Sequence, residues 1–262
     1  MQSKVKTALK EGRITIGGWI TLGHTAVAEI MASAGFDWIA IDMEHSVIGI
    51  QDVQPLVQAI ELGGSVPLVR LSSNDPVLAK RVMDTGASGV IVPMVNTAEE
   101  AELAVKSVKY PSWGFRSVGL ARAQKYGPGF DDYASNINDE SIVILQIEHK
   151  DGVKNIDEIL SVDGVDGIFI GPYDLSGSFG IPGDFGNMLM KDAERRVLDL
   201  AKEYNKPAGI HIVWPSMADF EKRKEEGFRI IAFGADIIFL GEQCRLMNRE
   251  LRRYIGESKA HD

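Results

Sequence analysis

The chain has 262 residues, 45% hydrophobic and 25% charged, with a formal net charge of −9. That length and apolar share are enough for a large α/β core, and the acidic balance without a Lys/Arg cluster argues against nucleic acid as a partner. Cys244 is the only cysteine, which rules out an intrachain disulfide and fits a cytoplasmic protein. The first ten residues carry no apolar signal core, and no uncharged apolar run approaches the ~20 residues of a membrane span.

Short β-rich apolar runs alternate with helix-period stretches along the chain. The expected strands are 14–20, 38–43, 67–71, 89–94, 142–148, 166–170, 208–213 and 229–234. The expected helices are 26–34, 53–62, 76–84, 98–108, 155–161, 188–204, 217–226 and 243–255. Pro76 after Asn74-Asp75 reads as a capped helix start. Gly35, Gly63, Gly86 and Gly227 follow helical stretches, where a left-handed C-cap favours glycine. Eight such units in one chain predict a single (β/α)8 TIM barrel over residues 1–262, in which the strands' C-terminal ends carry the active site. No Gly-x-Gly-x-x-Gly follows the first strand, so a dinucleotide-binding sheet has no support. The long segment 110–140, with Arg116, Arg122, Tyr126 and Tyr133, is expected to lie over the same top face.

The strand ends carry a coherent set of polar groups. Trp19 closes strand one, and Asp42-Met43-Glu44-His45 closes strand two. Arg70 closes strand three, Gln146-Ile147-Glu148 strand five, and Gly171-Pro172-Tyr173-Asp174 follows strand six. Each acid alone is as easily structural, capping a helix or pairing with arginine. Together on one rim, Glu148 and Asp174 offer oxygen ligands with open positions, which points to Mg2+, Mn2+ or Co2+. His45 is the candidate base, with Asp42 placed to orient its ring. Arg70 is the candidate for an oxyanion or carboxylate, held by Glu44 or Asp84. The turn at Gly171, Pro172 and Tyr173 offers free backbone N–H groups to a substrate carboxylate. His211, inside strand seven, reads as a polar core group. His24 falls near the rim, His149 points away from it, and His261 belongs to the tail.

These residues resemble one family throughout. Trp19, Asp42-Met43-Glu44-His45, Val69-Arg70, Asn74-Asp75-Pro76-Val77-Leu78, Val92-Pro93-Met94-Val95, Tyr110-Pro111, Gly119 with Ala121-Arg122-Ala123, Gln146-Ile147-Glu148 and Ile170-Gly171-Pro172-Tyr173-Asp174-Leu175-Ser176 are similar to the HpcH/HpaI class II pyruvate aldolases. The resemblance implies a barrel in which Glu148 and Asp174 hold a divalent metal. It implies that His45 with Asp42 moves protons, that Arg70 and Gln146 meet the keto oxygen, and that the backbone near Tyr173 receives the pyruvate carboxylate. Trp19, Arg116 and Arg122 are carried along as substrate-binding candidates. The implied reaction is reversible cleavage of a 4-hydroxy-2-keto acid, of the 4-hydroxy-2-oxoheptanedioate or 2-keto-3-deoxy sugar acid type, to pyruvate and an aldehyde. The implied assembly is a homohexamer, a trimer of dimers exchanging the last helix. The alternatives are an acyl-CoA lyase of the citrate lyase β type and a metal-dependent 2-keto-acid binding protein without turnover. Two departures stand out: Ser117 follows Arg116 where glycine is expected, and Tyr173 replaces a small residue. Both bear on the aldehyde half of the site.

Overall fold

A computed structural model describes residues 4–256. His261 lies outside them. Eight parallel strands close into a barrel in chain order: β1 (Thr15–Ile20), β2 (Trp38–Asp42), β3 (Val66–Arg70), β4 (Gly89–Val92), β5 (Ile142–Ile147), β6 (Gly167–Ile170), β7 (Ala208–Ile212) and β8 (Ile230–Ala235). Every strand pairs with its sequence neighbours, and β8 returns to β1, so no edge is left open. The eight-stranded expectation holds, with strand ends differing by at most two residues.

The helices are α1 (Lys4–Lys10), α2 (Thr25–Ser33), α3 (Ile50–Leu62), α4 (Pro76–Asp84), α5 (Ala98–Val108), α6 (Phe130–Glu140), α7 (Lys150–Lys154), α8 (Ile156–Ser161), α9 (Pro172–Ser178), α10 (Met188–Glu203), α11 (Met217–Glu226) and α12 (Asp236–Tyr254). Asp75 caps α4 by accepting from the Leu78 N–H at 2.7 Å, with Pro76 in the first turn as expected. The positive-φ cap after α3 falls on Gly64 rather than Gly63, whose own φ is −74°. α12 begins seven residues earlier than the sequence pattern suggests, because the apolar residues of its first turns blend into β8.

Two apolar clusters build the core. The larger lies between sheet and helices and takes one face of each strand. The smaller fills the barrel, with Trp19, Trp38, Leu68, Ile91, Ile144, Phe169 and Ala232 turned inward. Val5 and Leu9 of α1 join that inner cluster and plug its N-terminal end. Among the described residues no helix is long and apolar enough to cross a membrane.

The segment between α5 and β5 corrects an expectation. It begins where a helix ends and finishes where a strand begins, so it lies at the barrel's N-terminal face, opposite the strand ends that carry Glu148 and Arg70. Its contacts agree. Arg116 is buried and donates to Asp84 at 2.6 Å and to the Tyr133 hydroxyl at 2.9 Å, with its guanidinium over the Tyr110 ring. Arg122 donates to the Thr85 carbonyl at 2.9 Å and pairs with Glu61. Asp84, Thr85 and Glu61 all stand at the C-terminal ends of α3 and α4. Within one chain, Arg116, Arg122 and Asp84 are therefore remote from the strand-end acids. Within this chain they pin the segment, which contains α6 and a 3-10 turn at Arg122–Gln124, to the barrel floor.

Candidate active site

Asp42 ends β2 with its carboxylate buried, and Arg70 ends β3 directly beside it in register. The pair is bidentate: Arg70 Nε donates to Asp42 Oδ1 at 2.9 Å, and Nη2 donates to Oδ2 at 2.6 Å. Asp42 Oδ1 also accepts from the backbone N–H of Glu44 at 3.0 Å and of His45 at 3.2 Å. Burial works against the Asp42 carboxylate, but Arg70 and these N–H groups hold its pKa below the ordinary value. Asp42 thus shapes the loop that carries His45 and clamps Arg70. It does not orient the imidazole, as the sequence suggested. The carboxylate facing His45 Nε2 is Glu44, at 3.9 Å. The His45 side chain is largely exposed and lines the pocket.

Three acids share the centre. Glu148 follows β5 and is buried; its Oε1 accepts from the Met94 N–H at 2.8 Å, and Oε2 accepts from the Gln146 side-chain amide. Met94 adopts a left-handed φ of 53°, unusual for a long side chain, and that turn accompanies the N–H bond to Glu148. Burial pushes Glu148 up to about 7, with the charges of Glu44 and Asp174 acting the same way. Burial also raises Glu44, against Arg70 and with Asp42 and Asp174. Asp174 stands in the first turn of α9 and lines the pocket. Glu44 is therefore a member of the acid group with Glu148 and Asp174, closer to the chemistry than its expected supporting place beside Arg70. Gly171 is required here for space: a Cβ would come within 2.6 Å of Glu148 Oε2.

A cavity of about 320 Å³ opens above these groups. Trp19, His45, Arg70, Gln146, Gly171, Pro172, Tyr173 and Asp174, all anticipated from the sequence, line it. His211 lines it too. Burial, helped by the Arg70 charge, pushes the His211 imidazole down to about 4, so it is neutral near pH 7. Phe185, Trp214, Asp219 and Arg223 complete the wall and were not anticipated. Phe185 and Trp214 come from irregular segments, and Asp219 and Arg223 from the first and last turns of α11, which has no buried residue to mark an inward side. His24 and His149 instead cap helices, each accepting at Nδ1 from a backbone N–H at 3.2 Å.

Whether a divalent cation suits this centre depends on the donors. Among the described residues no group of three or more His, Cys, Asp or Glu is arranged to hold a metal. Crowded carboxylates with raised pKa values, and a Gln146 Oε1 that is buried without a partner, nevertheless form a centre short of positive charge. Two carboxylates with substrate and water completing the shell is the usual arrangement for Mg2+. The residues fit such an ion.

The HpcH/HpaI aldolase/citrate lyase family model matches residues 15–241. The chain belongs to this family. A 4-hydroxy-2-oxo-heptane-1,7-dioate aldolase from Escherichia coli is 40% identical over 249 residues, covering 94% of each chain. The corresponding Klebsiella pneumoniae protein is 41% identical over 242 residues, covering 92% of this chain and 90% of its own. A solved HpcH/HpaI aldolase/citrate lyase family protein from Burkholderia cenocepacia superposes with a TM-score of 0.90 at 33% identity, covering 96% of this chain and all of its own. The chain is thus a lyase-type enzyme on the fold of that family.

Proposed function

We propose that the protein is a class II aldolase that reversibly cleaves a 4-hydroxy-2-keto acid to pyruvate and an aldehyde. The observation that carries this reading is the gathering, at neighbouring strand ends, of the Glu44, Glu148 and Asp174 carboxylates with a clamped arginine and an accessible histidine, of which Asp174, Arg70 and His45 line the pocket. Glu148 and Asp174 would hold a divalent ion, Mg2+, Mn2+ or Co2+, which when bound supplies the Lewis acidity that an enolate needs. Arg70, fixed by both oxygens of Asp42, presents its remaining N–H groups to the keto oxygen. Gln146 lies beside the same position, and the free N–H groups at the start of α9 face the substrate carboxylate. His45 accepts the proton of the 4-hydroxyl as the C3–C4 bond breaks. The bond's electron pair passes to C3 as the enolate, C4 becomes the aldehyde carbon, and a proton returned to C3 gives pyruvate. No lysine lines the pocket among the described residues, which favours this route over a Schiff base.

The test is pyruvate release from a panel of 4-hydroxy-2-keto acids, with a strong chelator and with added Mg2+, Mn2+ or Co2+. Loss with the chelator and recovery with one of these ions is the expected result; full turnover in metal-free protein would sink the metal assignment. The family likeness also leads us to expect a homohexamer, a trimer of dimers, as one barrel domain in the cytoplasm. α12 supports this: Leu240, Leu246, Met247 and Leu251 along it are exposed, and the helix touches little besides β1 and β8. Sedimentation of the full chain and of a Leu240→Glu/Leu251→Glu variant checks it.

A further inference from the structure

Three aromatic side chains ring the mouth of the pocket, each from a different segment. Tyr173 stands in the first turn of α9, Phe185 in the connection from α9 to α10, and Trp214 between β7 and α11. Tyr173 and Phe185 meet edge to face, with ring centroids 4.8 Å apart and planes at 87°. All three line the cavity and stay uncovered in part: Tyr173 is 62% exposed, Trp214 56% and Phe185 37%. Large apolar rings gathered at a cavity mouth mark a place where apolar surface is to be covered.

The charges on that wall are already matched. Arg223 lines the cavity, but its Nη1 lies 3.2 Å from Glu194 and 2.9 Å from Glu226. Arg70 is taken by Asp42 and faces Glu44 at 3.4 Å. The His45 imidazole also faces Glu44. Asp219 adds a carboxylate to the same rim. An anionic substrate tail would meet repulsion from Asp219 and no unmatched guanidinium among the described lining residues. A carboxylate taken from water without a partner binds poorly.

We propose that Tyr173, Phe185 and Trp214 form the subsite of the second substrate, and that this subsite selects an uncharged aldehyde with an apolar or aromatic tail. The selection separates this chain from its E. coli and K. pneumoniae relatives, whose named substrate, a heptane-1,7-dioate, ends in a second carboxylate. The inference rests on the aldolase reading above. It assigns the polar half of the pocket, Arg70, Gln146 and Asp174, to the keto acid and the aromatic mouth to the aldehyde.

The experiment uses the full-length protein loaded with Mg2+ or Mn2+. Pyruvate release is followed from two 4-hydroxy-2-keto acids built from benzaldehyde and hexanal, and from 4-hydroxy-2-oxoheptanedioate. The apolar pair is expected to show kcat/KM at least about tenfold above the dioate. In the Phe185→Ala/Trp214→Ala variant that ratio falls by about tenfold or more, because KM for the apolar substrates rises. Both positions are exposed, and a melting curve confirms that the variant is folded. A Trp214→Phe variant keeps an aromatic face and retains most of the ratio. Preference for the dioate in the wild type, or a ratio that the double variant leaves unmoved, overturns the inference. Exchange of pyruvate methyl protons in deuterated water needs no aldehyde and reads the enolate half alone. Exchange without the apolar preference sinks this inference only. Absence of both exchange and pyruvate release sinks the aldolase reading, and this inference with it.

Discussion

The two ends of the barrel hold comparable numbers of buried charged groups and treat them differently. At the N-terminal end, Lys6 pairs with Asp166 at 2.5 Å and donates to the Ser141 carbonyl at 2.6 Å. Lys109 donates to the Asn138 carbonyl at 2.5 Å, and to the Ser141 hydroxyl at 2.8 Å and carbonyl at 3.2 Å. At the C-terminal end, the charges of Glu44 and Asp174 raise the proton affinity of Glu148, those of Asp42 and Asp174 raise that of Glu44, and buried atoms of Trp19, Glu44, Gln146 and His211 have no hydrogen-bond partner. Buried polar groups are normally satisfied because leaving them bare is costly. Among the described residues only Arg116 Nε is left bare at the N-terminal end, whereas the other end is built to be completed by something that binds. The distinction lies in the partners rather than in the residue types.

The largest test of that contrast is removal of an acid at the open end. Glu148→Gln and Asp174→Asn are each expected to lower kcat/KM by about 10³-fold or more, since an enolate without electrophilic stabilisation loses most of its catalysis. Isothermal titration with Mn2+ should show the loss at the level of ion binding. Wild-type activity in either variant would place the centre elsewhere. Next in size is His45→Ala. If His45 serves the 4-hydroxyl, carbon–carbon cleavage falls by about 10²- to 10³-fold, and pyruvate methyl exchange by much less. Equal losses in both assays would give His45 a share in enolisation too. Smaller again is Gly171→Ala, which removes no functional group. Its Cβ would displace the Glu148 carboxylate, and a shift of that kind is expected to cost about 10- to 100-fold in ion affinity or activity. An unaffected Gly171→Ala protein would show that Glu148 has more room than the structure gives it.

Much of this was readable from the sequence, for identifiable reasons. The strands repeat on a regular spacing, and a parallel barrel puts every strand end on one rim. That logic places Glu148 and Asp174 after the adjacent strands β5 and β6, and Arg70 next to Asp42. It fails for residues 110–140. Length and glycine content marked the segment as functional, but its position after a helix decides which face it occupies. Applying that rule would have moved Arg116 and Arg122 to the floor and freed Asp84 to be the partner of Arg116. Glu44 was visible but undervalued: it lies past the end of β2, in a bend where its N–H turns back onto Asp42 Oδ1, and that turn, not strand alternation, brings it to the centre. Phe185 and Trp214 lie in irregular segments, and the left-handed turn at Met94 is made by tertiary contacts. Neither leaves a local pattern.

The closed end gives the smallest and sharpest test. Burial pushes the Lys109 ammonium down to about 8, from an ordinary value of 10.5. As pH rises, the folded protein releases that proton first, and between about 8 and 10.5 the unfolded chain holds more protons than the folded one. Stability therefore rises across that window, by about 3 kcal/mol from this group, and is lowest below it. Lys109→Met removes the ammonium and its burial cost, but leaves the acceptors of Asn138 and Ser141 bare, at about 1–3 kcal/mol each. The two effects oppose one another near pH 7 and no longer do so near pH 10. Denaturant melts of both proteins should show the wild type gaining about 3 kcal/mol on the variant between pH 7.5 and 10.5. Activity at pH 7.5 should stay within about twofold, because the site lies at the far end of the barrel. A stability difference that is flat with pH would mean that three protein acceptors hold the ammonium as well as water does. The closed end would then be even more fully satisfied than the comparison requires.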